Sequence, residues 1–406
     1  MGTWIPLWKP ICGCLPPNKF FAPDGGIFCH GDRIGRYILI SGWTEIYTGV
    51  FLVALALALI FTPLCQFLAV KTSFLDIPAN EQHKQHKKAT PLLGGVGMFL
   101  AWSLTLGIGL YAGRYLPIRL VPETVYAGIG SLGGLSGELG VLVLCAMLCV
   151  ALGTYDDKYA ISPGVKLAGQ ILIAVLAVWV GGVRLSLFID QSLISGAITV
   201  FWFIFIFNAI NFFDNMDGLA CGTAAIAFFF FTVAAMVNGQ YFVACLGASC
   251  VGCSVGFWFF NHSPASIFMG DGGSHFLAFM LSVISAKVTY YNTVSSASEL
   301  IVLAPLFILA VPVFDTFAVV LIRLKNGKKI YVGDHNHISH RFHHMGMTRK
   351  QAVLLVHLLC LISGLGALPL LWGDLRTCLV LLLLEFVIFL LLSLLQAFGR
   401  HEVENK

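Results

Sequence analysis

The sequence predicts an all-α, polytopic membrane protein of about eleven transmembrane helices, and three observations predict it. Apolar residues make up 58% of the 406 and charged residues only 11%, too few charges to cover a soluble domain of that length. The mean hydropathy is +0.87. The apolar residues also run in unbroken stretches near the roughly 20 residues that a spanning helix needs. They do not alternate as they would in an outer-membrane barrel.

In chain order, spans are expected near 46–70, 93–113, 137–153, 165–184, 193–210, 218–237, 241–260, 274–290, 299–323, 351–372 and 375–397. This divides the chain into an N-terminal segment (1–45), a membrane domain (46–397) and a short tail (398–406). The longest polar stretches, 1–44 and 324–350, are too short for a sizeable core of their own. The N-terminal segment lacks the basic start and compact apolar run of a cleavable signal peptide. Most of the 12 cysteines fall inside spans, among them Cys145, Cys149, Cys250 and Cys253, where a thiol behaves as a small apolar group. Cys12, Cys14 and Cys29 could pair or bind metal, but their spacing fits no zinc pattern.

Eleven spans put the termini on opposite sides. Alternate loops place fifteen of the 24 Lys and Arg residues on one face, including Lys84, Lys166 and Arg341. The positive-inside rule makes that face cytoplasmic, with the tail inside and the N-terminus external. The net charge of +4 mostly records this bias, so no nucleic-acid partner is implied. Asp76, Asp156, Asp157, Asp214, Asp217, Asp271 and Asp334 all fall on the same face, as do His83, His86, His337, His340, His343 and His344. Acids and imidazoles gathered in a basic setting at one surface suit a metal and a phosphorylated ligand.

Four motifs carry that chemistry. In Gly153-Thr154-Tyr155-Asp156-Asp157-Lys158, followed by Lys166 and Gln170, adjacent carboxylates repel unless a cation or proton relieves them; a solvated acid pair is the plainer account. Asn208, Asn211, Asp214, Asn215 and Asp217 crowd the end of one span and offer oxygens to a hard cation, or simply cap the helix. In Asn261 to Ser274, the glycines of Phe268-Met269-Gly270-Asp271-Gly272-Gly273 let backbone approach a ligand. There Ser274 is expected to cap the next helix, whose first amides suit an anion; a plain turn is the alternative. In Asp334 to Arg341, with His343 and His344, imidazoles can bind metal or phosphate and Arg341 can clamp it, unless this is a plain polar loop. No HExxH zinc pattern occurs. Asp315, inside the ninth span, is costly at such depth and so a functional candidate, or else lies near the span's end bonded to Thr316.

In order and spacing, these motifs resemble the polyprenyl-phosphate N-acetylhexosamine-1-phosphate transferases. The resemblance covers about residues 46 to 395. It includes Asp76-x-Pro78 with Asn80, Lys84 and His86, then Pro91-x-x-Gly94-Gly95, Asp156-Asp157, Asn208 to Gly222, Phe268 to Asp271, Asp315-Thr316 and the Asp334–His340 loop. Eleven spans and an external N-terminus resemble the undecaprenyl-phosphate N-acetylglucosamine-1-phosphate branch, a glycosyltransferase of family 4; the muramyl-pentapeptide branch usually has ten spans and another histidine loop. Two departures stand out. Ser339 replaces the middle histidine of the usual His-x-His-His, which His343 or His344 could supply, and Gln82-His83 stands where an Arg-containing pair is common.

The resemblance implies an enzyme of the bacterial inner membrane, with its active site cytoplasmic. It would move N-acetylglucosamine 1-phosphate, or a related N-acetylhexosamine phosphate, from a UDP-sugar to undecaprenyl or another polyprenyl phosphate and release UMP. Two anionic reactants at 4 Å repel by roughly 4 kcal/mol at an effective dielectric near 20, so Mg²⁺ is implied, with Mn²⁺ as substitute. By the resemblance Asp271 is the leading metal ligand and Asn211 a second. Asp156 or Asp157 would orient or deprotonate the lipid phosphate. Lys84, Lys166, His337, His340 and Arg341 would hold phosphates, with Asn208 and Asp214 beside them, and Asp217 and Phe268 would hold uracil. Partners are then the UDP-sugar, the lipid phosphate and the membrane, with a homodimer left open. One-step displacement and a covalent aspartyl intermediate both stay open, as does a muramyl-pentapeptide donor. A transporter would carry its ionisable residues near the midplane of repeated halves. An inactive scaffold would have lost Asp156, Asp157 or Asp271, and all three are present.

Overall fold

A computed structural model describes residues 31–77, 89–115, 136–185, 189, 191–288, 299–329 and 336–404. Helices make up nearly all of it. They are α1 (Gly31–Lys71), α2 (Gly94–Tyr115), α3 (Ser136–Tyr159), α4 (Pro163–Trp179), α5 (Ser192–Phe213), α6 (Leu219–Val237) and α7 (Tyr241–Asn261). Then follow α8 (Gly270–Lys287), α9 (Ala304–Ile308), α10 (Ala310–Lys325), α11 (Ile338–His344), α12 (Arg349–Ala367) and α13 (Leu375–Glu404). Eight of them, α1, α2, α3, α5, α6, α7, α12 and α13, are long and apolar enough to cross a membrane. The chain is therefore an all-α, integral membrane protein.

Three expected spans take other forms. That near 165–184 is α4, 17 residues long, which starts at Pro163 and ends at Trp179. A proline at the first helical position costs nothing, because its missing N–H had no partner there. That near 274–290 begins four residues earlier, at Gly270, and every residue from Gly272 to Ala286 is buried. This helix, α8, is the centre of the bundle, walled by α2, α3, α5 and α6. Its apolar quota is low because it never faces lipid; glycine, serine and histidine suit close helix contact better. The stretch 299–323 is not one helix, as expected, but a 3₁₀ turn (Glu299–Leu303), then α9, a break at Leu309, and α10. Pro312 has no N–H to give the Ile308 carbonyl one turn back, so the helical ladder is interrupted there.

Two polar ties hold α3 to α8. At one rim Glu138, in the first turn of α3, meets Lys287, in the last turn of α8, at 3.1 Å. At the other rim lie Asp157 and the start of α8, described below. Between them Gly153 lets the backbones touch: a Cβ there would overlap the Asp271 carbonyl.

Loops at the rim that bears Asp157 are tied by backbone. Strands β1 (Leu75–Asp76) and β2 (Thr90–Pro91) pair antiparallel, with Leu75 opposite Pro91 and Asp76 opposite Thr90. The segment leading into α8 lies along β2: the Phe268 N–H donates to the Pro91 carbonyl at 2.8 Å, and the Gly94 and Gly95 N–H groups donate back to Phe268 and Met269 at 3.1 and 3.0 Å. On the far side, Ile338 and Phe342 of α11 join Phe213, Met216, Leu219 and Val356 in a second small core, which seats α11 under the ends of α5 and α12. A capping box at Thr348 and Gln351 opens α12.

Candidate active site

The first turn of α8 organises the site. Gly270 has φ +65, a conformation in which an L side chain is strained, and it turns the chain so that the next N–H groups face α3. A helix start leaves such N–H groups without partners, at the positive end of the helix dipole. Asp157 fills that role: its Oδ1 accepts from the Asp271 N–H at 2.8 Å and its Oδ2 from the Gly272 N–H at 3.4 Å. Two expectations change here. Ser274 is not the cap but lies inside α8, its hydroxyl donating to the Asp271 carbonyl at 3.2 Å. The amides expected for a bound anion are taken by the chain's own carboxylate.

With its backbone pinned, Asp271 points its side chain at α4 and α5. Lys166 stands near the start of α4 and Asn211 in the last turn of α5. The Lys166 Nζ lies 2.5 Å from Asp271 Oδ2, 2.9 Å from Asp156 Oδ2 and 3.3 Å from Asn211 Oδ1. The Asn211 amide donates to Asp271 Oδ1 at 2.6 Å and to the Ser274 hydroxyl at 3.0 Å. Asp156 is braced in turn by the Ile161 N–H at 2.9 Å. Asp214, just past the end of α5, has its carboxyl pushed up to about 7, first by loss of water around it and then by the negative charges of Asp271 and Asp217. The cluster thus sets Asp156, Asp271 and Asn211 around Lys166, with Asp157 behind them on the backbone and Asp214 near enough to feel the charge of Asp271.

Behind Asp271 a polar chain enters the apolar core. His275, one turn along α8 and fully buried, places Nδ1 2.7 Å from the Asp271 carbonyl and Nε2 3.0 Å from the Gln170 amide nitrogen. A proton on Nδ1 satisfies both contacts, an assignment made from the network itself. Asn208 donates to Gln170 Oε1 at 3.1 Å and to the Ile204 carbonyl at 2.8 Å. Of the expected ligand residues, Asn208 is therefore brought to Gln170 and not to the acids. His275 was not anticipated; its one sequence signal is an imidazole four residues after Asp271, on the same helix face.

The histidine loop arrives on the other side of α5. Asp315, 1% exposed, accepts from His337 Nδ1 at 2.7 Å and from the Ile338 N–H at 2.6 Å, with Arg341 Nη2 at 3.5 Å. The expected bond to Thr316 is not made, since that hydroxyl donates to the Pro312 carbonyl at 2.8 Å. The Ser339 hydroxyl donates to Asn215 Oδ1 at 2.6 Å. Asn215 lies beyond the end of α5 and so does not continue the face of Asn208 and Asn211. His340 is buried beside them. His343 turns Nδ1 to the Met347 carbonyl at 2.7 Å. Asp217 Oδ2 accepts from the Ala265 N–H at 3.1 Å, which ties it to the segment that carries Phe268. Lys84 and Asp334 lie outside the described residues, as do Cys12, Cys14 and Cys29.

Among the described residues, no three His, Cys, Asp or Glu side chains gather as a metal site. Yet oxygens of Asp271, Asp156 and Asn211 converge on one cationic point, held here by the Lys166 ammonium. An all-oxygen set of one or two carboxylates and an amide fits Mg²⁺, which takes its remaining ligands from substrate phosphate and water. A cleft of about 680 Å³ opens beside Asp157, walled by Phe74, Leu75, Leu92, Leu93 and Tyr155.

Comparison with known proteins adds an independent finding. Residues 139–289, which span α3 to α8, match the sequence profile of glycosyl transferase family 4. Over 354 residues the chain is 31% identical to a probable undecaprenyl-phosphate N-acetylglucosaminyl 1-phosphate transferase of Bacillus subtilis, covering 85% of this chain and 89% of that one. It is 30% identical over 314 residues to a decaprenyl-phosphate N-acetylglucosaminephosphotransferase of Mycobacterium leprae (70% and 73%). It is also 29% identical over 262 residues to a phospho-N-acetylmuramoyl-pentapeptide-transferase of Limosilactobacillus fermentum (61% and 74%).

Proposed function

Because the chain belongs to glycosyl transferase family 4, we propose that its acid cluster transfers N-acetylglucosamine 1-phosphate from a UDP-sugar to a polyprenyl phosphate. The observation that carries this reading is the convergence of Asp156, Asp271 and Asn211 on Lys166. It is an anionic basin holding a cation, as two phosphate reactants need. An oxygen of the lipid phosphate attacks the sugar-bearing phosphorus of the donor. The bond from that phosphorus to the bridging oxygen breaks, and UMP leaves with the electron pair. The product is a lipid-linked sugar pyrophosphate.

Each side chain has a part in that step. Lys166 neutralises phosphate charge once the ligands displace it from the acids. Asp156 faces the lipid phosphate and orients it; the second pKa of a phosphate monoester, near 6, leaves little need for a base. Asp157 acts through backbone: it holds the start of α8 so that Asp271 and Asn211 keep their spacing. These two would hold Mg²⁺, which when bound supplies charge neutralisation across the donor's pyrophosphate. His337, His340 and Arg341 hold phosphate from the far side, while Asp217 and Phe268 meet uracil. The cleft beside Asp157 takes the first isoprene units against its apolar wall of Phe74, Leu75, Leu92 and Leu93, which lets a lipid acceptor reach a water-soluble donor.

The topology follows from the same reading. Adding α4, α8 and α10 to the eight long helices gives eleven crossings, with every site residue at one face. The surplus of Lys and Arg marks that face as cytoplasmic in a bacterial inner membrane, with an external N-terminus.

The test is UMP release by purified protein in detergent, given UDP-N-acetylglucosamine, undecaprenyl phosphate and Mg²⁺. Release that needs the lipid and stops with EDTA is expected. Release with only the muramyl-pentapeptide donor would redirect the reading to that branch, and none with any donor would end it.

A further inference from the structure

Asp315 has no place in the step just described, yet it is a carboxylate 1% exposed within an apolar helix. A buried charge of this kind persists only where donors satisfy it, and three converge on it from the histidine loop. One of them, the Ile338 N–H, is a plain helix-capping contact. The His337 ring is different, because fixing Nδ1 decides which nitrogen is left for a ligand. Ser339, two residues on, ties the loop to Asn215, in the segment that follows α5, and α5 itself carries Asn211, which is bonded to Asp271. The loop that bears the ring is thus fastened to the segment that leaves the acid cluster. Within this loop Ser339 supplies no imidazole and His343 is turned to Met347, so more depends on how His337 is held.

We propose that Asp315 is a positioning residue for phosphate: it grips His337 through Nδ1, so that Nε2 shares a proton with a phosphate oxygen of one substrate. This rests on the transferase reading. The phosphate is that of the UDP-sugar or of the lipid, and separate titrations of the two distinguish them. Arg341, 3.5 Å from the same carboxylate, is kept beside the ring and adds positive charge to the same subsite.

The experiment is steady-state kinetics on the full chain in detergent, varying UDP-N-acetylglucosamine and undecaprenyl phosphate in turn. Asp315→Asn keeps an oxygen for the Ile338 N–H but removes the negative charge behind the ring. Loss of charge assistance should raise KM about tenfold for one substrate, with kcat within about threefold and the other KM unchanged. In a His337→Gln background the same substitution should add little, since partners in one chain of contacts are not additive. Unchanged kinetics in Asp315→Asn, a fall in kcat with both KM values intact, or a full additive loss on top of His337→Gln would each overturn the proposal. If Asp315→Asn does not fold, His337→Gln alone carries the test, and an unchanged KM for both substrates overturns it. Wild-type protein that releases no UMP ends the transferase reading itself, whereas active wild type beside an unaffected variant ends only this inference.

Discussion

The two sides of α5 are built on different plans. On one side the acid cluster is set by long helices in backbone contact: Gly153 against Asp271, and Asp157 on the N–H groups of Asp271 and Gly272. On the other side the histidine loop is a seven-residue helix held by the buried Asp315 carboxylate and by the Ser339–Asn215 bond, with Ile338 and Phe342 as its apolar anchors. Main-chain contact makes the first plan the more rigid of the two, and the second rests on side-chain contacts alone beyond the Ile338 N–H.

Substitutions can break that comparison, and the largest effect is expected at its rigid centre. Asp271→Asn should fold yet lose turnover by on the order of 10³-fold or more, measured as UMP release at saturating Mg²⁺; substantial residual activity would remove Asp271 from the metal role. Lys166→Ala should lose about 10²-fold, because three oxygen groups converge on that one ammonium; a thermal midpoint near wild type would separate this from misfolding.

Asp157 and Asp156 sharpen the contrast between geometry and chemistry. Asp157→Ala removes a helix cap and should cost about 1 kcal/mol of stability together with about tenfold in kcat. Asp156→Ala should cost more in rate and less in stability. Denaturation and kinetics on the pair would decide, and equal profiles would contradict the division of roles.

The last effect falls on stability alone, with no change in rate expected to report it, and concerns Asp214. Its carboxyl titrates near 7 in the fold but near 4 in an unfolded chain, so ionising it is harder in the folded state. Metal-free protein should therefore lose stability as pH climbs from about 4 to about 7, with this contribution level above that. Asp214→Asn should flatten the slope, as read by thermal unfolding across that range.

How much of this could be read from the sequence follows from the range of each interaction. Spans were legible because a bilayer demands long apolar runs, and each long helix lies where a run predicted it. The break at Leu309 was not, because the run is apolar on both sides of it, from Leu300 to Phe314, and only Pro305 and Pro312 mark it. The start of α8 was misplaced because Gly270-Asp271-Gly272-Gly273 looks like a turn. What makes it a helix is a cap supplied from Asp157, 114 residues away. The acids of the site were recognisable by order and spacing. Their partners were not: that Asp315 meets His337, or that Ser339 meets Asn215, depends on contacts between distant segments. His275 was hidden because a single imidazole four residues after Asp271 is a weak signal until Gln170 is known to meet it.

The paired ties between α3 and α8 have a mechanical consequence. Glu138 and Lys287 fasten one end and Asp157 the other, with backbone against backbone at Gly153 between them. Two rods riveted at both ends move as one beam. Neither can tilt or slide past the other without breaking a contact at one rim or the other, so a disturbance at the Glu138–Lys287 rim is carried along the pair to the residues around Asp271.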